Sequence, residues 1–126
     1  MTQGDEASAI LAAINAQFSS TRAYLYGDPA IPSLTGDHIL VSVSRRYTEG
    51  RLMSGDERVR GGRVTTRYVS KIATNVYVLR DRTTAALEAK TLPLSPSGEV
   101  GPFVFESSEP PGPDDGWVSG DDFWTY

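Results

Sequence analysis

Between His38 and Tyr47 apolar and polar residues alternate: Ile39, Val41 and Val43 fall on one side, Ser42, Ser44 and Arg46 on the other. A period of two is that of a β-strand, whose successive side chains point to opposite faces. Alternation, as opposed to a continuous apolar run, belongs to an antiparallel sheet with one covered face. A second stretch, Arg63 to Tyr77, repeats the pattern. Val64, Thr66, Tyr68, Ser70 and Ile72 share one face, and Thr65, Arg67, Val69 and Lys71 share the other. Thr, Val and Tyr suit a pleated surface, and this strand is expected to stop near Thr74.

An apolar sheet face must be covered, and the chain supplies two helices for it. Residues 4–18 place Ala7, Ile10, Leu11, Ile14 and Phe18 on one stripe, with Asp5 and Glu6 in the first turn, where they complement the helix dipole. Asp81 to Leu92 reads as the second helix, since Leu79, Thr83, Ala86, Leu87 and Lys90 recur at helical spacing and Pro93 ends it. Shorter strands are expected at Arg22–Gly27, at Val100–Ser107 with Phe103 and Phe105 on one face, and at Trp117–Tyr126, a strand or extended arm. Residues 48–62 read as a long Gly-rich loop, 95–98 as a turn and 109–116 as a stiff Pro/Gly linker. This order predicts an α+β fold: an antiparallel or mixed sheet of about four to five strands with two helices on one face. At 126 residues the chain is expected to form a single domain, 1–126, with one core.

Composition narrows the class further. With 39% hydrophobic and 22% charged residues the chain is neither disordered nor a coiled coil. It has no cysteine, which excludes disulfides, thiolate metal sites and a cysteine nucleophile. The best apolar run is Val76-Tyr77-Val78-Leu79, far short of a membrane span. No Lys or Arg precedes Arg22 and no apolar h-region is present, so a secretory signal is not expected.

The net charge of −4 conceals an asymmetry. Residues 45–71 carry eight basic against three acidic side chains, a local +5, whereas residues 99–126 carry seven acidic side chains and no base. Blocks of opposite sign can pair within the fold or between copies of it. Overall acidity argues against general nucleic-acid binding, and no helix-turn-helix or zinc-finger context surrounds the basic block. An interface reading of Arg51, Arg58, Arg60, Arg63 and Arg67 therefore stands above a DNA-binding one. The acidic pair Asp121 and Asp122 is its counterpart. Trp117, Phe123, Trp124 and Tyr126 either cap the domain's own core or reach a neighbouring subunit, because Trp and Tyr bury large areas while keeping a polar tip.

Signatures of catalysis are absent. The glycines at 55–61 have the wrong spacing for a P-loop, and no G-x-G-x-x-G follows a strand. His38 is the only histidine, so multi-histidine metal sites are excluded, and no serine elbow accompanies it. Asp5/Glu6 reads as helix-start chemistry and Asp114/Asp115 before Gly116 as a turn. No enzymatic activity, metal or cofactor is expected.

The layout has a familiar look. An Ala-rich first helix leads to I-L-V-S-V-S-R-R at 39–46. A Gly-rich loop follows, then R-V-T-T-R-Y at 63–68 and T-T-A-A-L-E-A at 83–89, and the chain closes with G-P-F-V-F-E-S-S-E-P-P at 101–111 and an aromatic strand. In order, size and segment character, over nearly the whole chain, this resembles the tail terminator proteins of long-tailed siphophages, particularly those of actinobacterial hosts. The resemblance implies a small α+β protomer in a hexameric ring, made in the host cytoplasm and located at the head-proximal end of the tail. Such a ring binds the last ring of major tail tube protein, stops tube growth and meets neck or head-completion proteins. Genomic DNA passes through its channel without sequence-specific binding, and neither cofactor nor membrane is involved. A head-closure or head–tail connector protein is the alternative, and a small binding module or enzyme with a site around His38 and the acidic pairs is a third.

Overall fold

The computed structural model describes residues 3–45, 62–94 and 98–126. Helix α1 (Gln3–Asn15) precedes strands β1 (Ala23–Leu25), β2 (His38–Arg45) and β3 (Gly62–Ser70). Helix α2 (Ala73–Leu87) follows, and the chain ends in β4 (Leu92–Pro93), β5 (Glu99–Val100), β6 (Val104–Ser108), β7 (Gly112–Asp114) and β8 (Trp117–Thr125). The main sheet has six strands in the order β1-β2-β3-β8-β6, with β7 also paired to β8; β4 and β5 form a separate two-stranded ribbon. In the main sheet β1 and β2 run parallel, and β2–β3, β3–β8, β6–β8 and β7–β8 are antiparallel. The fold is α+β with a mixed sheet.

Register explains why the sequence alternates. Val43 lies opposite Val64, Val64 opposite Trp124 and Trp124 opposite Phe105. This row and the next, Val41 with Thr66 and Asp122, face inward. Ile10 and Ile14 of α1 and Val76, Leu79 and Leu87 of α2 pack on that face with Ile39, Tyr68, Phe103 and Trp124. Both helices thus cover one side, as the pattern predicts. Fully burying a residue such as Ile10 stabilises by about 1.5–3 kcal/mol, so this single layer is the main source of stability.

The edge strand β1 is only three residues long, and a side chain stands in for its missing neighbour. Asn15, the last residue of α1, accepts from the backbone N–H groups of Arg22 and Ala23 (both 2.8 Å) and donates to the Ala23 carbonyl (3.3 Å). Its amide mimics a strand and pins the helix end to the sheet edge.

Several expectations need correction. The second helix starts at Ala73, eight residues before Asp81, and ends at Leu87 rather than at Leu92. Val76, Tyr77 and Val78 favour strands, and the N-cap Ile72 makes no side-chain cap, so no local start signal existed; burial of Val76 and Leu79 decides the outcome. Ser70 Oγ takes up the Ile72 N–H at 3.1 Å. At the other end Ala89 adopts a positive φ of 56° and Lys90 turns to pair with Phe103, which closes the helix before Pro93 is reached. The expected strand at Val100–Ser107 is interrupted: Phe103 lies before β6, buried beside the end of α2, whereas Phe105 sits in β6, 42% exposed. The supposed linker 109–116 contains β7 and turns into β8 through Asp115 (φ 49°) and Gly116 (φ 84°), the left-handed pair that a two-residue hairpin requires. Nor is 117–126 an arm. As β8 it lies between β3 and β6, inside the sheet. The loop expected at 48–62 lies, apart from Gly62, outside the described residues.

Candidate functional site

The two charge blocks meet within the chain. Arg67 of β3 and Asp121 of β8 are direct cross-strand partners on the face away from the helices. Their side chains form a two-pronged contact, Nε to Oδ1 at 2.8 Å and Nη2 to Oδ2 at 3.1 Å. The hydrogen bond to Asp121 raises the Arg67 pKa, against a smaller opposing effect of burial. Arg63 reaches across β8 to Glu106 of β6 at 3.4 Å, with both side chains about half exposed. An exposed pair of this kind contributes at most about 1 kcal/mol.

Asp122, next in line, points the other way, into the core, and is fully buried. Its partner is a residue that sequence reasoning missed, Arg80 of α2. Arg80 Nε lies 2.9 Å from Asp122 Oδ1, close enough for an ion pair although not aligned as a hydrogen bond. The same guanidinium donates to the Glu109 carbonyl at 2.7 Å, joining α2 to the segment after β6. Around the carboxylate runs a directed chain of donors. Trp124 Nε1 donates to Thr66 Oγ1 (3.4 Å), Thr66 donates to the Tyr68 oxygen (2.8 Å), and Tyr68 donates to Asp122 Oδ2 (2.9 Å). Burial, and then the adjacent Asp122 charge, push the Tyr68 hydroxyl far above its ordinary pKa. Arg80 was legible in principle: with a helix beginning at Ala73 it shares a face with Val76, Thr83 and Leu87. Missing the helix start hid it.

The aromatic residues of β8, and Tyr126 just after it, divide between core and surface. Trp124 is fully buried and meets Phe105 edge-on at 5.4 Å between ring centroids. Tyr126 packs on Phe103 (5.0 Å) and its hydroxyl donates to Glu6 of α1 at 2.7 Å. Trp117 lies on the opposite sheet face, edge-on to His38 at 5.3 Å, with the Lys71 ammonium 4.0 Å above its ring. His38 is buried there with Nδ1 2.9 Å from the Gly36 carbonyl. Phe123 is half-buried on that outer face opposite Thr65. Of the residues singled out in the sequence, Arg63, Arg67, Trp117, Asp121 and Phe123 therefore share the outer sheet face, whereas Asp122 and Trp124 are buried in the core with no surface to offer. Arg51, Arg58 and Arg60 lie outside the described residues. Among the described residues no group of three or more acidic or histidine side chains is arranged to hold a metal ion, and no helix is long and apolar enough to cross a membrane.

No family model matches this sequence, and no curated protein matches it. Solved structures do. A chain from the virion of a native gene transfer agent particle superposes with a TM-score of 0.64 at 16% identity, over 94% of this chain and 93% of that one. What is shared is the fold. A second solved structure, of a protein bearing no functional name, gives a TM-score of 0.70 at 14% identity over 99% of this chain and 94% of that one. Both likenesses span essentially whole chains, so the fold is shared as a whole and not as a fragment.

Proposed function

We propose that this chain is a structural virion protein of a phage-like particle, and that it closes the tail tube as a tail terminator. The observation that carries the reading is the end-to-end sharing of fold with a chain of a gene transfer agent virion. The segment order described above, which resembles that of siphophage tail terminators, supports the finer assignment. In this reading copies of the chain form a hexameric ring on the last ring of tail tube protein and block further addition. The opposite surface meets neck or head-completion proteins, and the genome passes through the channel. The activity is assembly by complementary surfaces, with no catalysis and no cofactor.

The test is to polymerise the particle's tail tube protein with and without the purified chain, and to measure tube lengths by electron microscopy. Tubes capped at one end and held to a defined length are expected. Tubes that are neither capped nor limited would refute termination. Locating the chain's density in the intact particle checks the coarser claim: a position on the head side, away from the tube, makes it a neck protein, and absence from the particle ends the virion reading.

A further inference from the structure

Three of the seven acids in the acidic block pair with arginines of the same chain, and part of what remains has a definite place. Asp114 and Asp115 form the tip of the β7–β8 hairpin, stiffened by Pro110, Pro111 and Pro113. Asp115 is exposed; Asp114 is half-buried and lends some of its field to Arg67. Lys71 steadies the base of the tip, its Nζ 3.4 Å from the Gly116 carbonyl. The result is a short, rigid, acidic prong.

At the far side of the sheet lies a cleft of about 250 Å³ lined by Phe18, Ser19, Arg22, Asp37, Asn75 and Arg82, among others. Both guanidinium groups are held in place. Arg82 donates to the Gln17 carbonyl at 2.8 Å with its guanidinium carbon 5.7 Å from the centre of the Phe18 ring, and Arg22 donates to the Asp37 carbonyl at 3.2 Å. The Asp37 carboxylate in the same cleft receives the Ser70 hydroxyl at 2.6 Å. The lining thus keeps a net positive charge, with the Asn75 amide and Ser19 hydroxyl beside it. A guanidinium has five donors in a planar fork that suits a carboxylate, so one backbone bond leaves capacity for an incoming acid.

The sheet sets prong and cleft in register with each other. Arg22 immediately precedes β1 at one edge, and the prong projects from β7 at the other. His38 lies opposite Val69, Val69 opposite Ser119 and Ser119 opposite Gly112, so one row crosses the sheet from the cleft to β7. The tip at Asp114 is two residues beyond that row, about 7 Å at strand rise. Copies standing side by side in one orientation would bring the prong of each toward the cleft of the next. That is a heterologous, head-to-tail contact, which closes into a ring when the rotation per copy divides the circle.

We propose that the Asp114–Asp115 turn of one copy docks in the Arg22/Arg82 cleft of a second copy of this chain. This contact rests on the ring reading given above and names a junction for it.

Charge inversion tests it. One variant carries Asp114→Lys with Asp115→Lys, and the other Arg22→Glu with Arg82→Glu. Self-association is followed by sedimentation velocity, alone and on tail tubes, with circular dichroism to verify folding. Each variant alone should associate about tenfold more weakly than the natural chain, since attraction becomes repulsion at every junction. An equimolar mixture should recover, because inverted prongs then meet inverted clefts in alternating order. Association unchanged in both variants refutes the contact, as does a cleft variant that the mixture does not rescue. Loss with the cleft variant but not with the prong variant assigns the cleft to another anion, such as DNA phosphate or an acidic neck protein, and also overturns the proposal. If the natural chain still caps tubes in any of these cases, the terminator reading survives without this junction. A natural chain that neither self-associates nor caps tubes removes both.

Discussion

Replacing Arg80 by Met should be the most damaging single change that leaves the apolar core intact. Asp122 is fully buried, and the substitution leaves its carboxylate with the Tyr68 hydroxyl alone. Removing one member of a buried ion pair costs about 3–5 kcal/mol, because the other charge stays out of water without compensation. The Glu109 carbonyl loses its donor as well. For a domain of this size the unfolding entropy is roughly 0.26 kcal/mol per kelvin, so a loss of about 4 kcal/mol lowers the melting temperature by about 15 °C. Asp122→Asn should cost less, because the Asn oxygen still accepts from Tyr68. The double variant Arg80→Met/Asp122→Asn should be more stable than the two single costs added together, by about 2 kcal/mol, since no orphaned charge remains. Thermal and urea unfolding followed by circular dichroism measure all three. A melting temperature lowered by less than about 4 °C in Arg80→Met, which is roughly 1 kcal/mol, or strict additivity in the double variant, would refute the claim that this pair docks α2 on the sheet.

Two further outcomes follow from the same geometry. Above the ordinary tyrosine pKa of about 10, the unfolded chain releases the Tyr68 proton while the folded chain keeps it, so stability should fall with rising pH by up to about 1.4 kcal/mol per unit. Tyr68→Phe should be less stable at neutral pH and should lose part of that alkaline slope; urea midpoints between pH 8 and 11 check both. Asn15→Ala removes three hydrogen bonds at the edge of the sheet and should cost about 1–3 kcal/mol, with faster amide exchange at Arg22 and Ala23 by nuclear magnetic resonance.

How much of this could be read from the sequence depended on whether a signal was local. Strands β2 and β3 were legible because Ile39, Val41, Val43 and Val64 alternate with polar residues, and α1 because Ile10 and Ile14 repeat at helical spacing. The start of α2 was not. Its first turns are built from Thr74, Val76, Tyr77 and Val78, which carry a strand preference, and it has neither an acidic residue in its first turn nor a capping side chain. Only tertiary burial makes that segment helical. The same failure concealed Arg80, since an arginine outside any recognised helix gives no reason to look for a buried partner. Asp121 and Asp122 show the complementary lesson: two adjacent acids on a strand must face opposite ways, so one pairs with Arg67 outside while the other pairs with Arg80 inside. Composition treats them as one patch, but the pleat separates them.

That separation changes what the charge asymmetry can mean. The sequence puts seven acids in the last 28 residues, yet Glu106, Asp121 and Asp122 each meet an arginine of the same chain. A charge already paired at short range contributes little to the field felt by a partner. In the docking proposed above, the acids left for recognition are those on turns and strand ends, above all the Asp114–Asp115 tip, and their lateral position on the sheet is fixed by β8 running through its interior. The strand that could have been an arm is therefore the element that aims the prong. Burying Trp124 in the core holds β8 between β3 and β6, and the hairpin that precedes it can then only project from the edge opposite Arg22. In this molecule the demand for a covered sheet face and the placing of its remaining acidic charge are met by the same nine residues of β8.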